Sequence, residues 1–465
     1  MANKKILVIG GVAAGPSAAS KAKRIDPDAN VKIIQNEKVV SYGACGMPYV
    51  IEGIVKEFQE LIERPADVFK KEYQIDVVTN TCAQKIDRVK KEVYAVDLQS
   101  GVETIYEYDS LVLATGARAI LPNIKGISQK DGGGDGIFLL RNYEDGLKIY
   151  SSTKTKNASS CVIAGAGLIG LEMAEAFKKR SLGREMDVTI VERNDHVLPT
   201  ILDNQMATTV QRELEENGVK VITGERVEEI VCSSSSDGDV KAIKTNTDRK
   251  IGTDFILLGT GVRPNSEIAK DAGIELGFAN AIKVNEYMRT NVPDIFAAGD
   301  CATARSYITN EDTYLPLGTT ANRQGRIAGE NAAGGNARYR GIAGSVITKL
   351  FGLYIGKTGL IKQEALNYGF DPIEGEIESI TRAGYYPGSK SIWIKIIADR
   401  ENGRVLGSQI VGGEGVKERI DLIALAMLLK ADLSDLASYD ACYVPPASPV
   451  WEPLNIAASQ TAKQL

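Results

Sequence analysis

Two stretches of this chain share one pattern of apolar and polar positions. KKILVIGGVAAGPSAASKAKR (residues 4–24) runs from a short apolar strand through a glycine turn into a helix of small residues, and VKIIQNE (31–37) supplies a second strand. SSCVIAGAGLIGLEMAEAFKKR (159–180) and DVTIVER (187–193) repeat that order. Both read as βαβ openings of dinucleotide-binding units. Each unit closes on a similar element, YDSLVLATGAR (108–118) in the first and TDFILLGTGVRPN (253–265) in the second, an apolar strand ending in a small-residue turn. A further apolar strand in MRTNVPDIFAAGDCA (288–302) ends at Gly299-Asp300. From about residue 340 the pattern changes to the strands SIWIKIIAD (391–399) and RVLGSQIVG (404–412), then a helix over RIDLIALAMLLKADL (419–433) that follows no glycine turn. The polar, glycine-rich IKGISQKDGGGDG (124–136) reads as an interdomain connection, and SSSSDGD (233–239) as a hairpin loop.

Composition fits several ordinary globular units. The chain has 465 residues, 43% hydrophobic and 25% charged, with 55 basic against 60 acidic side chains. A net charge of -5 without long charged runs leaves no footprint for nucleic acid or an anionic membrane. MANKKILVIGG enters a strand at once, with no leader-like apolar core and no span of eighteen apolar residues later, so a cytoplasmic protein is expected. Six cysteines at 45, 82, 161, 232, 301 and 442 show neither CxxC nor metal-type spacing, and no metal site is expected.

Gly165, Gly167 and Gly170 form a full GxGxxG, with Leu168 and Ile169 opening the helix behind it and Glu192 ending the next strand. Glycines allow a tight turn and close approach of a pyrophosphate to the helix N-terminus, while Glu192 can accept from ribose hydroxyls. The first turn, Gly10-Gly11-Val12-Ala13-Ala14-Gly15, places Val12 where the middle glycine is expected. Its following strand ends at Gln35 in place of an acid, with Glu37 two residues on.

With Ala114-Thr115-Gly116 and Gly299-Asp300 added to the two turns, the chain resembles the pyridine nucleotide-disulfide oxidoreductases over nearly its whole length. The resemblance implies an α/β fold of two Rossmann-like dinucleotide-binding domains and a C-terminal α+β dimerisation domain. FAD would lie in residues 1–120 with 281–338, NADH or NADPH in 145–280, and the dimer interface in 339–465. It implies FAD contacts at the first turn, Gln35, Ser41, Ala83, residues 114–116 and Asp300, the last on the ribityl chain. For NAD(P)H it implies the second turn, Glu192, Arg193 and Gly261.

In SYGACGMPYVIEG (41–53), Cys45 stands just before an expected helix in which Pro48 fits the first turn. Val40 and Val50 occupy the positions five residues away on either side, so the vicinal dithiol of glutathione reductase-like enzymes is absent. A thiol of pKa near 8.5 is about 3% thiolate at neutral pH, and lowering it to about 5 takes close to 5 kcal/mol. A helix terminus supplies at most about 2 kcal/mol, so flavin contact or basic groups must add the rest. The single histidine, His196, falls beside the second unit, so proton transfer near Cys45 needs another donor.

AGYYPGSK (383–390) and ACYVPPASPVWEP (441–453) resemble segments of coenzyme A-disulfide reductases whose tyrosines serve the cysteine of the partner subunit; the matching residues are Tyr385 and Tyr443. Without that resemblance, tyrosines beside prolines read as packing. Ser17, Lys21, Arg24, Ser41 and Asn322 match coenzyme A contacts, with Lys21 and Arg24 suited to phosphates and equally to a solvated helix face. Ala44 replaces a frequent asparagine, which keeps per- and polysulfides open as substrates. The expected protein is a homodimeric flavoenzyme that passes electrons from NAD(P)H through FAD to Cys45 and on to a small disulfide or persulfide. Two alternatives stand beside it: an NADH oxidase cycling Cys45 through sulfenic acid, and an electron-transfer subunit of a larger redox complex. NADH is expected over NADPH, because Glu192 would face the 2'-phosphate at a cost of about 4 kcal/mol, offset in part by Arg193.

Overall fold

The computed structural model describes residues 3–127, 136–155, 158–180, 185–233 and 239–465. Two five-stranded parallel sheets carry the repeated pattern. The first runs Ile295–Ala297, Ser110–Leu113, Lys5–Ile9, Asn30–Ile34 and Ile75–Val78 in spatial order. The second runs Ile137–Phe138, Phe255–Leu258, Ser160–Ala164, Asp187–Val191 and Val219–Ile222. Each opening strand therefore sits in the middle of its sheet, between its successor and the strand that closes the unit. Buried on both faces, these strands read as continuous apolar runs, as SLVL and FILL show. Each unit also holds a three-stranded antiparallel sheet, Thr81–Asp87, Glu92–Asp97 and Glu103–Glu107 in the first and Val227–Cys232, Val240–Thr245 and Lys250–Gly252 in the second.

Small residues in the first helix, Ala14–Ile25, have a packing cause. It lies against Gly318–Ala332, and a Cβ built on Gly325 or Gly329 of that helix would fall 2.3 Å from the Ala14 carbonyl oxygen or 2.0 Å from that of Ala18. The two helix backbones meet this closely because glycine leaves the space. This brings the turn at Gly10–Gly15 beside Gly299, where an added Cβ would lie 2.8 Å from that of Ala14.

The C-terminal part is a five-stranded antiparallel sheet in the order Val346–Leu350, Leu353–Gly359, Val405–Gly412, Ser391–Asp399 and Pro372–Ile380. Ile394, Ile396 and Ile410 of the sheet share a core with Ile420 and Ile423 and with Leu454 and Ala457 of the last helix. The single helix expected over 419–433 is two. Val416–Leu428 ends in a turn with Lys430 at φ +60°, and Asp432 caps a new helix, Leu433–Ser438, by accepting from the backbone N–H groups of Ser434 and Asp435. The capping aspartate stops the apolar periodicity from continuing as one helix. Residues 128–135 of the expected connection and 234–238 of the expected hairpin loop lie outside the described residues. Among the described residues no helix is long and apolar enough to cross a membrane.

Candidate functional site

The two glycine turns match nearly atom for atom. Gly10 and Gly165 have φ +108° and +111°, and their N–H groups donate to Ile34 O and Val191 O at 2.8 Å each. A Cβ on Gly15 would lie 1.8 Å from Gly10 O, and one on Gly170 2.1 Å from Gly165 O. The next N–H reaches the end of the second strand, Gly11 N donating to Gln35 Oε1 at 2.8 Å and Ala166 N to Glu192 Oε2 at 2.7 Å. Gln35 thus braces the first turn as Glu192 braces the second.

Their remaining polar atoms differ. Gln35 Nε2 donates to Glu37 Oε1 at 3.1 Å, and Tyr42 Oη donates to Glu37 Oε2 at 2.9 Å. Burial holds the Glu37 carboxyl above its ordinary value against these bonds. The Gln35 amide expected to meet ribose is therefore engaged within the protein. Glu192 Oε1 accepts from the backbone and side-chain nitrogens of Asn194, while Arg193 is exposed.

Both helix starts suit a dinucleotide. Neither Ala13 nor Gly167 at the N-cap makes a side-chain capping bond, which leaves first-turn N–H groups for ligand oxygens. A Cβ on Gly167 or Gly116 would meet no atom within 4 Å, so open space faces both positions. Val12, at the corresponding position of the first turn, is half-buried. Thr115 Oγ1 donates to Asn265 O at 2.6 Å, Asn265 Nδ2 donates to Thr115 O at 2.8 Å, and Ile120 N donates to Gly261 O at 2.9 Å, tying the closing turns of the two units together. Ala83 sits half-buried at a bulge in its strand, and Leu168 and Ile169 are half-buried at the start of their helix.

Cys45 occupies a short 3-10 turn, Ala44–Gly46, leading into the six-residue helix Met47–Glu52 with Pro48 in its first turn. The thiol keeps surface open to solvent, yet the protein crowds it enough that burial pushes it above its ordinary value. Glu172 adds to the rise, Arg141 opposes it and Asp300 adds again. Desolvation by burial is the largest of these influences. Glu172 follows Gly170 by two residues; Thr348 Oγ1 donates to it at 2.7 Å, and burial raises its carboxyl. Arg141 Nη2 lies 2.6 Å from Asp300 Oδ2, and its Nε donates to Ala117 O at 2.9 Å. The sequence reading missed both. Glu172 carried a signal as an acid on the helix behind a nucleotide turn, whereas Arg141 carried none, because its partners lie far along the chain.

Ser17, Lys21, Arg24, Ser41 and Asn322 line one cavity of about 400 Å³, which reaches Tyr42 and Gly43, two residues from Cys45. Ser17 Oγ donates to Asn322 Oδ1 at 2.7 Å. Lys21 pairs with Glu330 at 2.8 Å, so part of its charge is already met. Arg64 and Arg326 line the same cavity and were not foreseen. Ser41 has φ +49°, a strained value for a residue with a side chain, fixed by Ser41 N donating to Gly11 O and Glu63 N to Ser41 O.

Tyr385 and Tyr443 come together at the surface of the C-terminal part with their hydroxyls 3.2 Å apart, and Ala383 N donates to Pro445 O at 3.1 Å between their segments. Neither is among the groups acting on Cys45 in its own chain. The bond with Tyr385 holds the Tyr443 hydroxyl above its ordinary value. His196 bonds Asp195 and Leu202 O beside the second unit.

Comparison with known proteins places this architecture. The family model described as pyridine nucleotide-disulphide oxidoreductase matches residues 4–325, and that of the family's dimerisation domain matches 346–453. The chain is 41% identical over 462 residues to a Methanocaldococcus jannaschii protein named NADH oxidase, covering 99% of both. It is 36% identical over 463 residues to a Pyrococcus horikoshii NAD(P)H coenzyme A polysulfide/persulfide reductase, covering 98% of both. The solved structure of a NAD-dependent persulfide reductase from A. fulgidus superposes with TM-score 0.92 at 39% identity, covering 98% of this chain and 82% of that one. The chain belongs to the pyridine nucleotide-disulphide oxidoreductase family and is an NAD(P)H-dependent flavoprotein oxidoreductase.

Proposed function

We propose that the protein reduces a small disulfide or persulfide carried by coenzyme A, through Cys45. The observation that carries this reading is the cavity. It runs from arginines and a lysine suited to phosphates, along the first glycine turn, to within two residues of the thiol. A ligand with a phosphorylated nucleotide at one end and sulfur at the other fits that arrangement of charges.

The first turn with Asp300 would hold FAD, and the second turn with Glu192 would hold NADH. The flavin, when bound, supplies the hydride acceptor and the two electrons returned to sulfur. Cys45 thiolate attacks one sulfur of the substrate disulfide, breaking the S–S bond and forming a mixed disulfide as the other sulfur leaves as a thiolate. That leaving thiolate takes a proton. Two electrons and a second proton then free the remaining thiol and restore Cys45. Tyr443, bonded to Tyr385, is the donor we assign, contributed by the second subunit of a homodimer. A match to the dimerisation-domain model and the exposure of both phenols support that arrangement.

The test compares coenzyme A disulfide with cystine, which lacks the phosphates. Replacing Arg24, Arg64 and Arg326 together by alanine should raise KM for coenzyme A disulfide at least tenfold and leave cystine turnover unchanged. Equal effects on both substrates would refute the assignment of the cavity. The relative named NADH oxidase at 41% identity favours one second reading, in which oxygen accepts the electrons. NADH consumption with oxygen alone, at a rate no disulfide exceeds, would select it.

A further inference from the structure

The loops that carry Tyr385 and Tyr443 are both held by one short turn, residues 413–415, between the strand Val405–Gly412 and the helix Val416–Leu428. The Tyr385 loop closes at its base, where Thr381 N donates to Lys390 O at 2.9 Å and Lys390 N to Thr381 Oγ1 at 3.2 Å. Gly413 packs on that base, since an added Cβ would fall 2.9 Å from Lys390 Cβ and 3.2 Å from Thr381 Cγ2. Arg382, from the same loop, pairs with Glu414.

The Tyr443 segment is held from the other end of the turn. Arg419 of the helix donates through Nη1 to Gly415 O at 3.1 Å and through Nη2 to Glu452 Oε2 at 2.9 Å, while its Nε donates to Glu452 Oε1. Gly415 has φ +88°, and a Cβ there would lie 2.5 Å from Arg419 Nη1, so the guanidinium occupies space that glycine leaves. Glu452 closes the segment that starts at Tyr443. Ser448 Oγ donates to it at 3.0 Å, and the N–H groups of Ala447 and Ser448 donate back to Val444 O. Arg419 and Glu452 are 7% and 9% exposed, whereas Glu414 stands mostly in solvent. A buried fork fixes one geometry, which lysine's single ammonium would not reproduce. A solvated pair such as Arg382 with Glu414 contributes little by itself.

We propose that Arg419 is the positioning residue of the tyrosine pair, holding the Tyr443 segment through Glu452 so that its phenol meets that of Tyr385. Arg419 bonds neither phenol and is not catalytic. Its importance to turnover rests on the reading that Tyr443 is the proton donor. The bond it maintains can be followed without turnover, because that bond holds the Tyr443 hydroxyl above its ordinary value.

The FAD-loaded enzyme carries 3-fluorotyrosine at position 443 and is titrated by 19F NMR. Tyr385→Phe removes the bond and sets the low reference midpoint. Arg419→Met combined with Glu452→Gln removes the ion pair without leaving one charge buried alone, which would disrupt the segment for reasons unrelated to positioning. This double variant should titrate at the reference midpoint and reduce coenzyme A disulfide about tenfold more slowly, with flavin reduction by NADH unchanged. Arg419→Lys should recover part of both losses, and Glu414→Gln should alter neither. If the double variant does not fold, Glu452→Gln alone should lower the midpoint in the same direction. A folded double variant that keeps the Tyr443 midpoint of the unaltered enzyme would overturn the proposal. So would an equal fall in Glu414→Gln. Turnover that survives Tyr443→Phe would refute the donor reading alone, and the titration would still decide whether Arg419 positions the pair.

Discussion

The hydroxyls of Tyr385 and Tyr443 lie 3.2 Å apart although 58 residues separate them in the chain. The pairing comes from two loops joined by Ala383 N donating to Pro445 O, and it leaves both phenols exposed. If they serve the partner's Cys45, replacing both by phenylalanine should slow disulfide reduction by about 10² or more while NADH still reduces the flavin. Mixing that variant with Cys45→Ser under subunit exchange should restore activity in one site of each mixed dimer. Inactive mixed dimers built from FAD-loaded parents would return the tyrosines to a packing role.

Glu192 is held by Ala166 N and Asn194 at the end of the second strand, and the role proposed for it sets its carboxylate against the 2'-phosphate of NADPH. Steady-state kinetics should therefore show a higher kcat/KM for NADH. Glu192→Ala should narrow that preference, and it should also loosen the turn, since Ala166 N loses its acceptor. Equal or better kcat/KM with NADPH in the unaltered enzyme would contradict the role given to Glu192.

Gly15 is required by close approach, for a methyl group there would meet the Gly10 carbonyl oxygen at 1.8 Å. Gly15→Ala should lower Tm by an amount corresponding to about 1–3 kcal/mol and weaken FAD retention. Gly101→Ala, with φ +73° but no atom within 4 Å of the added methyl, should cost about 1 kcal/mol and leave FAD binding intact. Calorimetry and flavin absorbance on the two variants separate these outcomes.

The fold was legible where a local pattern dictates a local geometry. Gly165 and Gly170 announce a turn and a helix because the backbone itself needs glycine at those two positions, while Gly167 between them keeps open space at the helix start. The break at Lys430 was hidden, because apolar spacing persists through the turn that Asp432 forces. The five residues matched to coenzyme A contacts do share one cavity, yet Arg64 and Arg326 could not be read beside them. Arg326 comes to that wall only through the tight packing of two helices at Gly325 and Gly329. Arg141 was invisible for the same reason, since its bond to Asp300 spans 159 residues of chain. The surroundings of the Cys45 thiol were also beyond the sequence. Burial and Glu172, the latter from an element distant in the chain, both push the thiol above its ordinary value.

The passage of electrons through Cys45 is tested most directly by anaerobic kinetics of Cys45→Ser. NADH should reduce the flavin of this variant at a rate near that of the unaltered enzyme, because hydride transfer does not involve the thiol. Consumption of further NADH on adding coenzyme A disulfide or a coenzyme A persulfide should then be absent, since serine cannot form the mixed disulfide. Sustained NADH consumption with either substrate in the serine variant would contradict the mechanism.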